Sequence, residues 1–322
     1  MSEVRYASPI DEQKYGAYSA FSDSVASCEE ETFRFGERIG TESYPAESGR
    51  YHVYLQYVCP WAQRVQIIID YLGLENVVSY SYLDPLRDGR GWAFRERTGP
   101  DPVNGFTLLR DAYLSTAPDF KGVPSVPAVW DRKTSRLINN RYDDTIHDFS
   151  TVFEKLKNTG RDIYPPALRE KIEELLPWIS EKINYGVYEP AFAVTQESYD
   201  AAVENLYQAL DALEDRLSRS RYLLGEVITL ADICLWVSLL RFDLVYYPLF
   251  RANRRRLIDY PNLWNYAREL YAIPAFKKGS RFDYIKETYY SNFAYLLYRG
   301  IVPALPITDW EQPQDRIPLS GK

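Results

Sequence analysis

The stretch Tyr51–Gly73 constrains this chain most, because it demands a strand, a sharp corner and a helix in immediate succession. Apolar and aromatic residues from Tyr51 to Val58 suit a buried strand. Pro60 fits the first helical position, where its missing N–H costs nothing and its fixed φ is already helical. The run Val65-Gln-Ile-Ile-Ile-Asp-Tyr-Leu72 carries the helix to Gly73, which reads as a C-cap. Cys59 therefore stands at a helix N-terminus, where free N–H groups and the positive end of the macrodipole favour a thiolate. Arg64 adds positive charge if it points the same way. A buried structural cysteine is the alternative, and the order strand, cysteine, proline, helix argues against it.

Val77-Val-Ser-Tyr-Ser-Tyr-Leu83 reads as a second strand, which with the first makes a βαβ unit and a parallel pair. Residues 84–122 then interrupt with Asp84-Pro, Gly89-Arg-Gly91-Trp92, Gly99-Pro-Asp-Pro and Gly105, too long for an ordinary loop. Trp92 is either a lid over a ligand or an apolar anchor for this loop. Two further strands follow, around Ser125–Asp131 and Ser135–Ile138, with a helix in Tyr142–Phe149. Pro127 cannot donate to a central ladder, so it belongs at a strand start or in a turn. Asp162-Ile-Tyr-Pro165-Pro166 marks a boundary, beyond which helical periodicity dominates: Leu168–Asn184, Tyr199–Ser218, Leu230–Tyr247 and Pro261–Tyr271. Thr229-x-x-Asp232 is a capping pattern that starts one of these helices, and Cys234 on it reads as core. The organisation expected is an extension over 1–48, an α/β domain over 49–160, an all-helical domain over 161–306, and a tail over 307–322.

Composition removes several classes of function. A length of 322 residues suits two domains, and a net charge of −7 leaves no basic excess for nucleic acid. Cys28, Cys59 and Cys234 are too few and scattered for a disulfide framework, which points to a reducing compartment, the cytoplasm. No apolar run is long enough for a membrane span, and no signal peptide is visible. With two histidines, His52 and His147, outside any ligand spacing, no metal site is expected. His52 falls in the first strand and reads as structural. The 28 tyrosines supply large contact area and hydroxyls that can donate to an oxyanion, which suits an aromatic ligand.

Cys59-Pro-Trp-Ala followed by Arg64 resembles the active-site signature of the glutathionyl-hydroquinone reductases, the Xi class of glutathione transferases, although Gln63 stands where that family usually has His. Gly91-Trp92-Ala-Phe94, Asn184-Tyr-Gly-Val-Tyr188, Gln196-Glu-Ser-Tyr, Arg241-Phe-Asp243, Asp259-Tyr-Pro-Asn-Leu-Trp264 and Tyr289-Tyr290 extend the resemblance from about residue 50 to about residue 305. It implies a thioredoxin-like α/β N-terminal domain joined to an all-α C-terminal domain, the glutathione-transferase fold, and a homodimer. It implies a cis-Pro127 facing Cys59, with Val126 offering its backbone to a bound thiol and Trp92 lying over it. Tyr188, Tyr289 and Tyr290 would line the substrate site, with Tyr188 or Tyr290 serving a developing phenolic leaving group.

The chain also departs from that family. An arginine before the Val-Pro strand reads Val123 here, and a Glu-Ser pair that meets the γ-glutamyl group reads Arg141-Tyr142. The first change removes a charge-assisted hydrogen bond of roughly 1.5–3 kcal/mol. The second puts a cation where an ammonium would bind, unless Asp143 or Asp144 takes that ammonium. Thr288 and Phe293 replace histidines that flank the tyrosine pair, and Tyr295, Leu296, Leu297 and Tyr298 follow, which predicts a more apolar substrate cavity. The expectation is family chemistry through Cys59 on an aromatic thioether, using glutathione or another low-molecular-weight thiol such as mycothiol or bacillithiol. A thiol transferase or dehydroascorbate-type reductase, and a non-catalytic protein that binds aromatic ligands, are the competing readings.

Overall fold

The computed structural model of the chain describes residues 4–18, 29–296, 299–304 and 308–313. Cys28, Leu297 and Tyr298 lie outside the described residues. The strands are β1 (Tyr51–Leu55), β2 (Ser79–Tyr82), β3 (Ala128–Asp131) and β4 (Arg136–Asn139). The longer helices are α1 (Pro60–Leu72), α2 (Leu109–Thr116), α3 (Tyr142–Thr151), α4 (Arg169–Ile179), α5 (Gln196–Arg219), α6 (Leu230–Leu239), α7 (Pro261–Tyr271) and α8 (Phe282–Asn292). The chain divides into two compact units, Met1–Gly160 with Asp283–Asn292, and Arg161–Phe282 with Phe293–Lys322.

The first unit is built on a four-stranded sheet in the order β2-β1-β3-β4. β1 pairs parallel with β2 and antiparallel with β3, and β3 pairs antiparallel with β4. Every residue of β1 is buried, as a central strand covered on both faces requires. β-α-β, interruption, β-β-α is the thioredoxin order. One element inside the interruption escapes sequence reading: α2, whose buried Leu109, Ala112 and Tyr113 supply the helix that this order needs before β3. The rest of the interruption is ordered by buried carboxylates. Asp101 accepts from the backbone of Val103, Asn104 and Phe106 and from the Tyr54 hydroxyl, and so ties the loop to β1. His52 bridges Ser79 and Ser81 across β1 and β2, and burial pulls it down to about 3, so it stays neutral and structural.

Among its described residues the N-terminal extension is irregular apart from single helical turns at Glu12–Tyr15 and Glu29–Thr32. Residues 35–39 run beside β4, where Asn140 N donates to Phe35 O and Glu37 N to Ile138 O. Arg38 pairs there with Asp148 and Asp144 of α3. Residues 7–16 lie on the interruption: Ala7 N donates to Phe94 O, and Gly89 N to Gly16 O. α8 returns to this same unit, with Glu287 paired to Arg97 and Thr288 Oγ1 donating to Pro85 O at 2.8 Å.

The second unit is all helical around the fully buried α6. Asp232 of the Thr229-x-x-Asp232 box accepts from Thr229 N and Leu223 N and from the Tyr266 hydroxyl. Two helices expected to run unbroken do not. After α4 the backbone widens to π geometry over Ser180–Tyr185, and after α6 it does so over Phe242–Tyr246. Gly186 closes the first of these, because a Cβ there would collide with Lys182 O. Such π segments recur at functional sites, and this one delivers Tyr188. Among the described residues no helix is long and apolar enough to cross a membrane.

Candidate active site

β1 ends at Leu55, and the chain turns through Gln56–Val58 into Cys59, which caps α1 with Pro60 in the first turn. Cys59 has extended backbone angles (φ −72°, ψ 115°), is half-buried and is not part of a disulfide. Its Sγ lies 3.5 Å from Val126 O, and the Val126–Pro127 peptide is cis. Val126 and Pro127 are buried beside it, just before β3. The loop is held from behind. Tyr113 of α2 donates its hydroxyl to Ser125 O at 2.7 Å and accepts from Ser125 N at 3.1 Å. Asn140 Nδ2 donates to Ser125 Oγ, the Tyr113 hydroxyl and Thr32 O.

Trp92 is buried at 7% exposure, and one face of its indole is covered by the Arg87 guanidinium, 3.7 Å from the ring centroid. Tyr18 of the N-terminal extension covers the opposite side of Arg87 at 3.5 Å. Burial pulls the Arg87 guanidinium below its usual value, while Tyr18, Cys59 and Tyr289 act on it in the opposite sense. Arg87 thus stands within electrostatic reach of the thiol. Sequence reasoning missed it, since it sits in an aperiodic Asp84-Pro-Leu-Arg-Asp-Gly turn whose only signal is a cation five residues before Trp92. Tyr289 is 4% exposed and Tyr290 fully buried, and Tyr289 is the one of the pair that acts on Arg87.

At the expected thiol-recognition positions the structure departs from a simple repulsive cation. Arg141 is exposed, and its Nε donates to Phe33 O while its guanidinium packs on Gly36. Its charge is therefore directed at the N-terminal extension. Asp144 is paired with Arg38. The Tyr142 ring meets Phe33 edge-on at 4.9 Å and tilts over Trp61, two residues after Cys59, at 5.6 Å. Val123 N donates to Thr32 Oγ1.

In the second unit Tyr188 is half-buried and lies among Tyr246 at 5.8 Å and Phe250 at 5.0 Å. Phe293 joins this cluster through Phe250 and Phe192, so the expected apolar replacement of a histidine becomes an aromatic wall. Asn184 fixes the segment by donating Nδ2 to Cys234 O and Ser238 Oγ of α6, and Cys234 is a buried core residue. Among the described residues no cluster of three His, Cys, Asp or Glu side chains is placed to hold a metal.

A parallel-then-antiparallel sheet with a cysteine-capped helix facing a cis-proline, followed by an all-helical unit, is the fold of a glutathione transferase. Residues 196–269 match the family "Glutathione S-transferase, C-terminal domain". The chain is 38% identical over 281 residues to the Escherichia coli glutathionyl-hydroquinone reductase YqjG, covering 86% of this chain and 85% of that one. The glutathione-bound structure of YqjG superposes with a TM-score of 0.82 at 37% identity, over 86% of this chain and 91% of that chain. The Xi glutathione transferase of Phanerochaete chrysosporium superposes with a TM-score of 0.81 at 38% identity, over 85% and 90%. The chain belongs to the Xi-class glutathione transferases, the glutathionyl-hydroquinone reductase family.

Proposed function

We propose that this chain is a thiol-dependent reductase that removes a low-molecular-weight thiol from an aromatic, hydroquinone-like thioether through Cys59. The carrying observation is Cys59 Sγ at a helix N-cap, 3.5 Å from the carbonyl that precedes cis-Pro127. Helix N–H groups favour the thiolate, and the Val126 backbone offers strand-like hydrogen bonds to the cysteinyl part of a thiol. The thiolate attacks the sulfur of the conjugate. A carbon–sulfur bond breaks, a Cys59 mixed disulfide forms, and the released electron pair passes to the aromatic ring, which takes up a proton. A second thiol then attacks the mixed disulfide, regenerating Cys59 and releasing the symmetrical disulfide. Cys59 has no second cysteine in its motif, so the resolving thiol comes from solution.

Tyr188 is the proton donor or hydrogen-bond donor we favour for the phenolic oxygen, because it is half-buried whereas Tyr290 is fully buried. Tyr289 and Tyr290 line the substrate side, and Trp92, Val126, Pro127, Arg141 and Tyr142 form the thiol side. Val123 and Arg141 alter the residues that meet the two ends of glutathione in the family, which favours a different thiol, with mycothiol and bacillithiol as candidates. A homodimer in the cytoplasm accords with the family resemblance and the sparse cysteines.

Native mass spectrometry with the disulfides of glutathione, mycothiol and bacillithiol tests this, with Cys59→Ser as control. Addition of mycothiol or bacillithiol to Cys59 without glutathione supports an altered thiol site. Addition of glutathione alone makes the chain an ordinary family member, and no adduct with any thiol refutes the mechanism.

A further inference from the structure

We propose that Arg87, clamped between the rings of Tyr18 and Trp92, is the positioning cation that holds Cys59 as a thiolate before substrate binds. The inference rests on Cys59 being the nucleophile of the proposed reaction, and it assigns a role to a residue outside the motifs that define the family resemblance.

Topology places the two groups together. β1 and β2 are parallel neighbours, so both leave the sheet at the same end, where Leu83 N donates to Leu55 O at 2.9 Å. From there one strand reaches Cys59 four residues on, and the other reaches Arg87 four residues on. Tyr57 and Tyr82, one from each exit, stack at 3.6 Å and hold the two exits side by side. The Arg87 guanidinium lies face-on to Tyr18 at 3.5 Å and to Trp92 at 3.7 Å. Both of its faces are therefore covered by aromatic rings, and only its edge is left to meet an anion. Cation–π contacts of this kind hold a guanidinium without neutralising it.

Charge balance then points to the thiol. Among the described residues no carboxylate forms an ion pair with Arg87, and its buried Nε has no hydrogen-bond partner. The two nearest acids in sequence are committed elsewhere: Asp84 faces Arg95, and Asp88 is paired with Arg90. Arg64, the cation on α1, stacks against Trp61. Among the largest influences on Arg87 are Tyr18, which also hydrogen-bonds to it, Cys59 and Tyr289. Thiols ionise more readily than phenols, so the thiol is the natural source of the anion. A half-buried cation with no carboxylate partner among the described residues needs such a partner, because leaving it uncompensated is costly. The α1 N-terminus and Arg87 then act on the same sulfur from two elements.

The test reads Cys59 without any substrate, so it is separable from the proposed reductase activity. The rate of iodoacetamide alkylation of Cys59 is followed against pH by mass spectrometry, in the wild type and in Arg87→Gln, Arg87→Met and Arg87→Lys. Gln keeps a planar head between the rings, Met keeps bulk, and Lys keeps charge. The expected result is that alkylation at pH 6 falls about tenfold in both neutral variants, the effect of moving the thiol by one pH unit. The profile should shift to higher pH, and Arg87→Lys should recover most of the loss. Tyr18→Ala, which removes one ring of the clamp, reports on the same role if the neutral variants do not fold, and should lower the rate by two- to threefold. A wild-type profile in a folded neutral variant overturns the proposal, as does equal loss in Gln, Met and Lys, or a wild-type profile in Tyr18→Ala where that variant alone is folded. Loss of turnover on thiol conjugates with an unchanged alkylation profile would refute this inference and leave the reductase reading standing.

Discussion

Asp88→Asn should loosen the N-terminal extension from the body of the first unit, and the structure sets the size of the effect. The Asp88 side chain is fully buried and accepts from Arg90 Nε at 2.9 Å, Arg90 Nη2 at 2.6 Å, Arg90 N at 3.1 Å and Asp11 N at 3.2 Å. Arg90 in turn donates to Ser8 Oγ, Ser8 O and Pro9 O, and lies 3.8 Å from the Tyr15 ring. One carboxylate thus orients the arginine that grips residues 8–15. Burial opposes its ionisation, but the Arg90 and Asp11 donors outweigh burial and bring Asp88 from 3.8 to about 2. That difference corresponds to roughly 2 kcal/mol of folding free energy. The folded value lies below the unfolded one, so the stabilisation is complete above about pH 4 and is lost as pH falls towards 2. The assay is urea unfolding of wild type and Asp88→Asn at pH 7 and at several points down to pH 2, with tryptic cleavage at exposed Lys14 as a local probe. The wild type should be about 2 kcal/mol more stable at pH 7, the gap should close in acid, and Lys14 should be cut faster in the variant. Equal midpoints and equal cleavage at pH 7, or a gap that persists at pH 2, would refute the argument.

Three other perturbations have defined outcomes. Asn184→Ala removes two buried donor contacts to α6 and should destabilise the protein by about 2–3 kcal/mol in urea unfolding. Gly186→Ala forces a Cβ onto Lys182 O and should cost about 1–3 kcal/mol by the same measurement, with aromatic near-UV circular dichroism changing as the turn that carries Tyr188 is displaced. Tyr113→Phe deletes the hydroxyl shared by Ser125 and Asn140, and should cost about 1 kcal/mol of stability. Because that hydroxyl braces the loop opposite Cys59, the same variant should form Cys59 mixed disulfides more slowly in stopped-flow kinetics.

Local chemistry made much of the first unit legible. Cys59-Pro60 opening a helix, Gly73 closing it and Pro127 before a strand are each imposed by backbone rules that act over a few residues. Arg87 was invisible for the opposite reason. Its significance comes from Tyr18, Trp92 and Cys59, which reach it from three separate segments, and no period or motif in Asp84–Arg90 announces that meeting. Arg141 shows a related limit. Its place in sequence marks the thiol side, but the direction of its guanidinium depends on Phe33 O and on Gly36, more than a hundred residues earlier in the chain. The π segments after α4 and α6 were read as continuous helix because widening a turn by one residue barely alters an apolar repeat.

The return of Asp283–Asn292 to the first unit gives this chain an order of assembly. A ribosome releases the sheet, Cys59 and Trp92 early, but Glu287 for Arg97 and Thr288 for Pro85 O only after the helical residues 161–282 have been made. At about 5–20 residues per second, the sheet waits roughly 6 to 30 seconds for its last helix. During that interval the segment 84–97 lacks its cover, and a chain stopped before residue 283 would carry a complete thiol motif on an unfinished support.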